Sequence, residues 1–398
     1  MANRLLIGLS KATGGIEQRK PALWSRSADL PRIPERDDDT RTRDCLMLRD
    51  MKSKSLRICV AVLSALVALC MVTACGVTAD QAGTTKTTFM LSWAPDTNHI
   101  GVYVAKEQGY FAKAGLDVDI VAVSQAGAEQ AVNSGVADFA LSNLTNVAQY
   151  SLKGANLREV LQVQRKPSAI WCSLASNTSI TRPRDFDGKT FATFGASESD
   201  AVIKRMIQFD GGTGTFDKVT VGTSTFQTLS SGRADFGGFY ATWEGVQADM
   251  YGPKLNCFTE PDYGVPGNAD TIGIIANEKT ITDNPQFVRS FVQAAQQGYR
   301  YAYEHPDEAA EMLVKAAPDA NLDADFVKRS MHVIVEGQYW GSPQDIADGK
   351  LRLGARDTQQ AQEYLDFLGQ AHAYTDANGN TVDTVPQADQ LSTDEFLS

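Results

Sequence analysis

The stretch SWAPDTNH, at 92–99, gathers side chains that could hold a small ligand. Trp93 offers a flat ring, and Asn98 offers both a hydrogen-bond donor and an acceptor. His99 is interpreted either as a residue that orients its neighbours or as a direct contact, and Asp96 as a cap of the helix that follows. Because core packing does not need this mixture, the stretch predicts a site for a small, polar, flat molecule.

A carboxylate in the segment YATWEG, at 240–245, is the main candidate for recognising such a molecule through hydrogen bonds. Glu244 can accept a hydrogen bond from an exocyclic amino group and another from a protonated ring nitrogen, and charge-assisted pairs of this kind are short and strong. Tyr240 and Trp93 could stack on the two faces of the ring, where offset stacking adds about 0.5–1.5 kcal/mol per pair. Two alternatives stay open: Glu244 as a solvated residue of a helical turn, and Trp93 as a core residue that ends a strand.

Two further turns follow strand-like runs and are also predicted to contact the ligand. Ser142 ends the run VADFALS, and Asn143 follows it. Gly195, Ala196 and Ser197 open a helical pattern, whose first backbone amides could bind a polar or anionic group. Such turns are common, so this second signal is weak by itself.

No known arrangement of catalytic or metal-binding residues accompanies these candidates. The sequence contains no GxSxG, HExxH or CxxC motif, and its four His and six Cys lack metal-type spacing. We therefore predict no catalytic residue, no metal site and no cofactor. The net charge of −11 argues against a nucleic-acid partner, since phosphate backbones require a basic surface.

The elements that must position these residues alternate between strand and helix, which predicts an α/β fold. The pattern SGxADF occurs twice, at 134–139 and 231–236, each time after a strand, a polar turn and a helix. Two similar lobes are therefore expected. Ligands of such sheets bind at the carboxyl ends of the strands, where all four polar turns fall, so we expect the ligand in a cleft between the lobes.

The predicted lobes are not continuous in the chain. We expect residues 87–175 to form the first part of lobe 1 and residues 176–269 to form lobe 2. Residues 270–398 are then expected to return to lobe 1. Asn284-Pro285 and His305-Pro306 are predicted to begin helices of the returning segment, since Pro is favoured in a first helical turn.

The N-terminal segment has the pattern of an exported lipoprotein. Basic residues at 51–57 precede an apolar run at 58–72, which is shorter than the roughly 20 residues of a membrane span. VTAC follows, with small residues before Cys75, so 51–74 is predicted to be a lipoprotein signal peptide, Cys75 the lipidated residue and 75–86 a tether. Residues 1–50 are interpreted as a disordered upstream over-extension, with a genuine cytosolic extension as the alternative.

Two cysteines lie beyond the predicted tether. Cys172 and Cys257 both stand in strand-like runs. They could be buried thiols or one disulfide, and we slightly favour buried thiols.

The whole pattern resembles the solute-binding component of an ABC importer. Within that group, residues 91–121 resemble the thiamine-precursor branch, which binds pyrimidines such as hydroxymethylpyrimidine and its formylamino analogue. The segments GASESD (195–200), YATWEG (240–245) and VPQADQLSTDEFL (385–397) extend the resemblance towards the C-terminus. The family usually has Asn where this chain has Asp96, which leaves the identity of the pyrimidine open.

This resemblance implies a two-lobed, type II periplasmic-binding-protein-like fold with the ligand in the interlobe cleft. It also implies a lipid-anchored, extracytoplasmic monomer that serves an ABC permease and its ATPase. Riboflavin-like heterocycles and alkyl sulfonates are the alternative ligands. The same superfamily includes a eukaryotic pyrimidine-forming enzyme, but the positions of its Lys and His are matched here by Ser142 and Asn146, which argues against catalysis.

Overall fold

The computed structural model describes residues 84–269 and 271–398. The strands of this part of the chain are β1 (Thr85–Met90), β2 (Leu116–Val121), β3 (Phe139–Asn143), β4 (Leu157–Gln162), β5 (Ala169–Leu174), β6 (Thr190–Thr193), β7 (Asp217–Thr220), β8 (Phe236–Tyr240), β9 (Leu255–Thr259), β10 (Ile272–Asn277), β11 (Tyr374–Thr375) and β12 (Thr381–Val382). The α-helices are α1 (Ile100–Glu107), α2 (Tyr110–Lys113), α3 (Ala128–Ser134), α4 (Leu144–Leu152), α5 (Ser197–Phe209), α6 (Thr225–Ser230), α7 (Val246–Tyr251), α8 (Glu278–Asp283), α9 (Pro285–Glu304), α10 (Pro306–Ala316), α11 (Ala324–Glu336), α12 (Pro343–Ala347), α13 (Thr358–Gln370) and α14 (Ala388–Leu391).

Two five-stranded sheets with the same topology form the two lobes. The first has the order β2-β1-β3-β10-β4, and the second has the order β7-β6-β8-β5-β9. In each sheet three strands are parallel, and the strand inserted next to them is antiparallel to both of its neighbours. The inserted strands, β10 and β5, are the first strands after the chain crosses between lobes. The prediction of a two-lobed α/β fold is confirmed.

The repeated SGxADF motif has the same structural role in both lobes. The carboxylate of Asp138 accepts a hydrogen bond from the backbone N–H of Thr88 at 2.8 Å. In lobe 2, Asp235 accepts from the backbone N–H of Thr190 at 2.9 Å. Each Asp thus joins the start of its own strand to the neighbouring parallel strand, which is why the motif recurs where the topology recurs.

The first lobe boundary lies earlier than the sequence predicts. β5 was included in lobe 1, within 87–175, but it pairs with β8 and β9 in the second sheet. The chain therefore passes into lobe 2 over 163–168, before β5. It returns to lobe 1 between β9, which ends at Thr259, and β10, which begins at Ile272. A short apolar strand looks the same in either sheet, and its distant pairing partners decide which lobe it joins.

Cys172 and Cys257 form a disulfide, so the slight preference for free thiols was wrong. They lie directly opposite each other on β5 and β9, with Cα atoms 4.1 Å apart. The pairing of two strands separated by 85 residues brings them together, and sequence spacing alone does not reveal it. The bond joins the first and last strands of lobe 2.

The returning C-terminal helices pack against lobe 1, and both predicted helix starts are confirmed at Pro285 and Pro306. Phe291 of α9 stacks on Phe139 of β3 with ring centroids 3.9 Å apart. A Cβ atom at Gly298 would lie 2.0 Å from the backbone oxygen of Gly101, so only Gly permits this approach of α9 to α1. The close packing fixes α1 and with it the 92–99 loop.

The predicted upstream extension (1–50), signal peptide (51–74), Cys75 and most of the 75–86 tether lie outside the described residues. Within the described part of the chain, no helix has both the length and the apolar character that crossing a membrane requires.

Candidate functional site

The 92–99 loop joins β1 to α1 and buries its polar side chains. Asp96 and Asn98 are each 6% exposed, and His99 is fully buried. Asp96 Oδ1 accepts a hydrogen bond from the backbone N–H of Asn98 at 2.8 Å and lies 2.8 Å from His99 Nδ1. The backbone N–H of Ser92 donates to His99 Nε2 at 3.3 Å, which places the imidazole proton on Nδ1, facing the carboxylate.

The interpretation of Asp96 as a helix cap was wrong. The N-terminal flanking residue of α1 is His99, and no side chain caps that helix end. Asp96 instead closes a turn inside the loop, through the N–H of Asn98. The Asp96 carboxylate is therefore held within the loop by the N–H of Asn98, with His99 Nδ1 2.8 Å away, rather than by the helix.

One aromatic ring of this loop meets an aromatic ring of the opposite lobe. Trp93 of lobe 1 lies with its ring centroid 4.9 Å from that of Phe194, which follows β6 in lobe 2, at an interplanar angle of 52°. Phe194 is 54% exposed, so part of its ring remains accessible to solvent. Sequence reasoning paired Trp93 with Tyr240 and overlooked Phe194, although it follows the equivalent strand of lobe 2 directly.

Glu244 lies on a π-helical turn, Ala241–Gly245, that follows β8. Its Oε2 accepts a hydrogen bond from the backbone N–H of Tyr240 at 3.1 Å. Desolvation raises the pKa of the Glu244 carboxyl to about 7, with the charge of Asp96 adding to the rise and backbone N–H donors opposing it. Two carboxyl groups from different lobes thus influence each other.

The turn after β3 is occupied by bonds within the protein. Ser142 Oγ donates to Glu129 Oε1 at 2.6 Å, and Asn146 Nδ2 donates to the same oxygen at 2.8 Å. Asn143 caps α4, where its Oδ1 accepts from the backbone N–H of Asn146 at 2.8 Å. Glu129, which sequence reasoning did not identify, is the centre of this cluster.

The third predicted turn is the start of α5, which begins at Ser197. Gly195 has φ +118°, a left-handed backbone conformation that favours glycine. Ala196 precedes the helix and has no polar side chain to cap it. The first turn carries Glu198 and Asp200, so its charge disfavours an anion in spite of the helix dipole.

None of the ten predicted ligand-binding residues lines the cavity between α5 and α13. This cavity has a volume of about 680 Å³. Basic and acidic side chains both line it, including Lys204, Arg205, Glu363 and Asp366. In the part of the chain that the structure describes, no cluster of His, Cys, Asp or Glu could hold a metal ion.

The sequence profile of the family described as NMT1/THI5 like matches residues 96–309, more than half of the chain. The chain belongs to the NMT1/THI5-like family. The match includes the 96–99 part of the first loop, the start of α5 and the turn that carries Glu244.

Two relatives of this NMT1/THI5-like chain cover most of its length. The formylaminopyrimidine-binding protein of Halalkalibacterium halodurans is 30% identical over 316 residues, which are 77% of this chain and 92% of the relative. The riboflavin-binding protein RibY of Chloroflexus aurantiacus is 26% identical over 301 residues, 73% of this chain and 82% of the relative.

A solved structure confirms the fold of the NMT1/THI5-like chain. The ligand-binding component of an ABC-type import system from Staphylococcus aureus superposes with a TM-score of 0.58 at 12% identity. The alignment covers 78% of this chain and 97% of that one. At this identity the likeness shows the two-lobed, type II binding-protein fold and nothing finer.

Proposed function

We propose that this protein is the lipid-anchored, extracytoplasmic solute-binding component of an ABC importer, and that it binds a thiamine-precursor aminopyrimidine between its lobes. The observation that carries the proposal is the Glu244 carboxyl, which is desolvated, held by backbone N–H groups and influenced by Asp96 of the other lobe. The ligand part of the proposal is supported by the relative that binds formylaminopyrimidine. The transport part is supported by the import-system protein that has the same fold.

The chemistry of Glu244 fits the edge of a 4-aminopyrimidine. That edge presents an amino donor next to a ring nitrogen acceptor. A carboxyl with a pKa of about 7 can give its proton to the ring nitrogen while its second oxygen accepts from the amino group. The same two bonds form if the proton resides on the ring nitrogen, and they are then charge-assisted.

Asn98 supplies a second acceptor for the ligand. Its side chain is buried, and its Oδ1 has no hydrogen-bond partner among the described residues. A buried acceptor without a partner costs free energy, and a ligand N–H would remove that cost. Asp96 and His99 hold the loop on either side of Asn98, so we assign them an orienting role.

The aromatic rings enclose the pyrimidine in this proposal. Trp93 is a stacking partner, and Phe194, already 4.9 Å from it across the lobes, is the ring that we now add. Tyr240, one residue before the Glu244 turn, contributes the other face. Ser142, Asn143 and the start of α5 at 195–197 are retained as the remaining contacts of the cleft.

The acidic character of the site disfavours the alternative anionic ligands. A sulfonate would have to approach Asp96 and Glu244, and the first turn of α5 adds two further acidic residues. Like charges in a desolvated cleft are unfavourable. The positions that would carry Lys and His in the pyrimidine-forming enzyme hold Ser142 and Asn146, both bonded to Glu129, which supports binding rather than catalysis.

Delivery to the permease follows from anchoring in this proposal. Acyl chains on Cys75 would hold the protein at the membrane surface, because each buried CH₂ contributes about 0.8 kcal/mol. A monomer with both lobes accessible would then meet the ABC permease, which the ATPase drives.

The proposal is tested by calorimetric titration with four probes. They are 4-amino-5-hydroxymethyl-2-methylpyrimidine, its 4-oxo analogue, riboflavin and an alkanesulfonate. We expect binding of the amino compound, at least tenfold weaker binding of the oxo compound, and no binding of the sulfonate. Tighter binding of riboflavin or the sulfonate would contradict the pyrimidine assignment. A native mass spectrum of protein purified from its own cell should show the mass of an aminopyrimidine.

A further inference from the structure

A buried hydroxyl on helix α11 touches both loops of the candidate site. Ser330 is fully buried, and Thr97 is 1% exposed. Ser330 Oγ lies 2.5 Å from the backbone oxygen of Thr242 and 2.9 Å from Thr97 Oγ1. Thr97 lies between Asp96 and Asn98, whereas Thr242 belongs to the turn that carries Glu244.

The direction of these hydrogen bonds follows from the number of protons. A carbonyl oxygen only accepts, so the single hydroxyl proton of Ser330 goes to Thr242. Thr97 must then donate its own proton to Ser330 Oγ. The result is a chain of two hydrogen bonds, which we call the relay. It runs from Thr97 in the 92–99 loop of lobe 1, through Ser330 of α11, to Thr242 in the 241–245 turn of lobe 2.

Aromatic packing supports the relay on the same face of α11. Phe326 precedes Ser330 by one helical turn, and residues at this spacing share a face. Its ring centroid lies 4.5 Å from that of Trp243, edge to face, and 6.2 Å from that of Tyr251. Partial desolvation, together with a hydrogen bond to Asp323 at the start of α11, raises the pKa of Tyr251, whose side chain is 57% exposed.

The rest of α11 belongs to lobe 1. Its apolar residues Val327, Met331 and Ile334 lie in the same core cluster as the first sheet and α10. The helix is therefore fixed to the lobe that carries Asn98, and its other face holds the turn that carries Glu244. This contact therefore sets the position of Glu244 relative to Asn98.

We propose that Ser330 is a positioning residue of the ligand site, whose hydroxyl sets the position of the Glu244 turn relative to the Asn98 loop. This inference rests on the proposed function for its ligand, and it adds a residue far from both loops in the sequence. Ser330 need not touch the ligand. Its loss should separate two groups that must contact the same small molecule together.

The test compares Ser330→Ala with a matched control, Ser173→Ala. Ser173 is also a fully buried serine, on β5, and its hydroxyl has no partner among the described residues. With the aminopyrimidine as probe, Ser330→Ala should bind at least tenfold more weakly, and its preference for amino over oxo should fall as well. Ser173→Ala should retain both affinity and preference. Unchanged affinity and preference in Ser330→Ala, at a temperature where it is folded, would overturn the proposal.

A double-mutant cycle identifies the relay itself. Thr97→Val keeps the shape of the side chain but removes the hydroxyl that donates a hydrogen bond to Ser330 Oγ. If the relay operates, the losses of Thr97→Val and Ser330→Ala are not additive, since each breaks the same connection. Losses in affinity that simply multiply would show that the two residues act separately and would refute the relay.

A ligand-free measurement separates this inference from the proposed function. In Ser330→Ala, hydrogen exchange should accelerate both at 92–99 and at 241–245, but not in Ser173→Ala. Faster exchange at only one of the two segments would contradict the relay, whatever the protein binds. If wild type binds none of the four probes while both segments respond, the proposed ligand is wrong and the relay stands.

Discussion

Replacing Glu244 with Gln should remove a pH dependence from the stability of this protein. Burial raises the pKa of Glu244 from the ordinary 4.5 to about 7 in the folded chain. Between pH 4.5 and about 7, the Glu244 carboxyl therefore keeps its proton in the folded state but loses it in the unfolded state. Stability due to this group is fully present below pH 4.5, falls as pH rises, and is lost once pH exceeds about 7.

The magnitude follows from the same two values. The folded and unfolded pKa values differ by about 2.5, and one pH unit corresponds to ~1.36 kcal/mol. The free energy of unfolding of wild type, relative to Glu244→Gln, should therefore fall by ~3 kcal/mol between pH 4.5 and pH 8. Asp96→Asn, which removes a charge that raises this pKa, should reduce the fall.

Urea denaturation at a series of pH values, followed by tryptophan fluorescence, measures this difference. Comparing the two proteins cancels other titrating groups, such as buried Glu159, whose pKa desolvation also raises. A difference in unfolding free energy that stays flat between pH 4.5 and pH 8 would refute the assignment of Glu244 as a desolvated carboxyl.

The other predictions concern the anchor, the disulfide and the aromatic contact. Cys75→Ser should abolish membrane retention in a cell-fractionation assay, and retention with a cleaved, unlipidated N-terminus would refute the anchor. Replacing Cys172 and Cys257 by Ser should lower the free energy of unfolding by about 2–4 kcal/mol in denaturant titrations, because the bond closes a long loop around lobe 2; an unchanged midpoint would count against the bond. Trp93→Ala and Phe194→Ala should each weaken aminopyrimidine binding in calorimetry without changing the amino-over-oxo preference, since ring stacking does not read that edge. A changed preference would contradict the stacking role.

The repeat was the part of the fold that sequence reasoning predicted best. Each copy of the motif places its Asp directly before a strand, where it bonds the neighbouring parallel strand, so recurrence of the short motif indicates that the same topology recurs. The lobe of β5 and the Cys172–Cys257 bond depend on partners far along the chain, and local pattern does not contain them.

The candidate site divides in the same way. Asp96, Asn98 and Glu244 stand in recognisable turns at strand ends, which is why their types and spacing pointed to a ligand. Ser330 is a small polar residue within a C-terminal helix, and nothing in its own segment distinguishes it. Only the packing of α11 against two loops gives it a place near the site.

The central claim is that Glu244 reads the amino edge of a pyrimidine. The most direct measurement is the ratio of affinities for 4-amino-5-hydroxymethyl-2-methylpyrimidine and its 4-oxo analogue, in wild type and in Glu244→Gln. Hydrogen bonds to charged groups contribute roughly 1.5–3 kcal/mol. At about 1.4 kcal/mol per factor of ten, the variant should bind the amino compound roughly 10- to 150-fold more weakly, and the preference for it should largely disappear. A variant that binds the amino compound as tightly as wild type, with the same preference, would contradict the account.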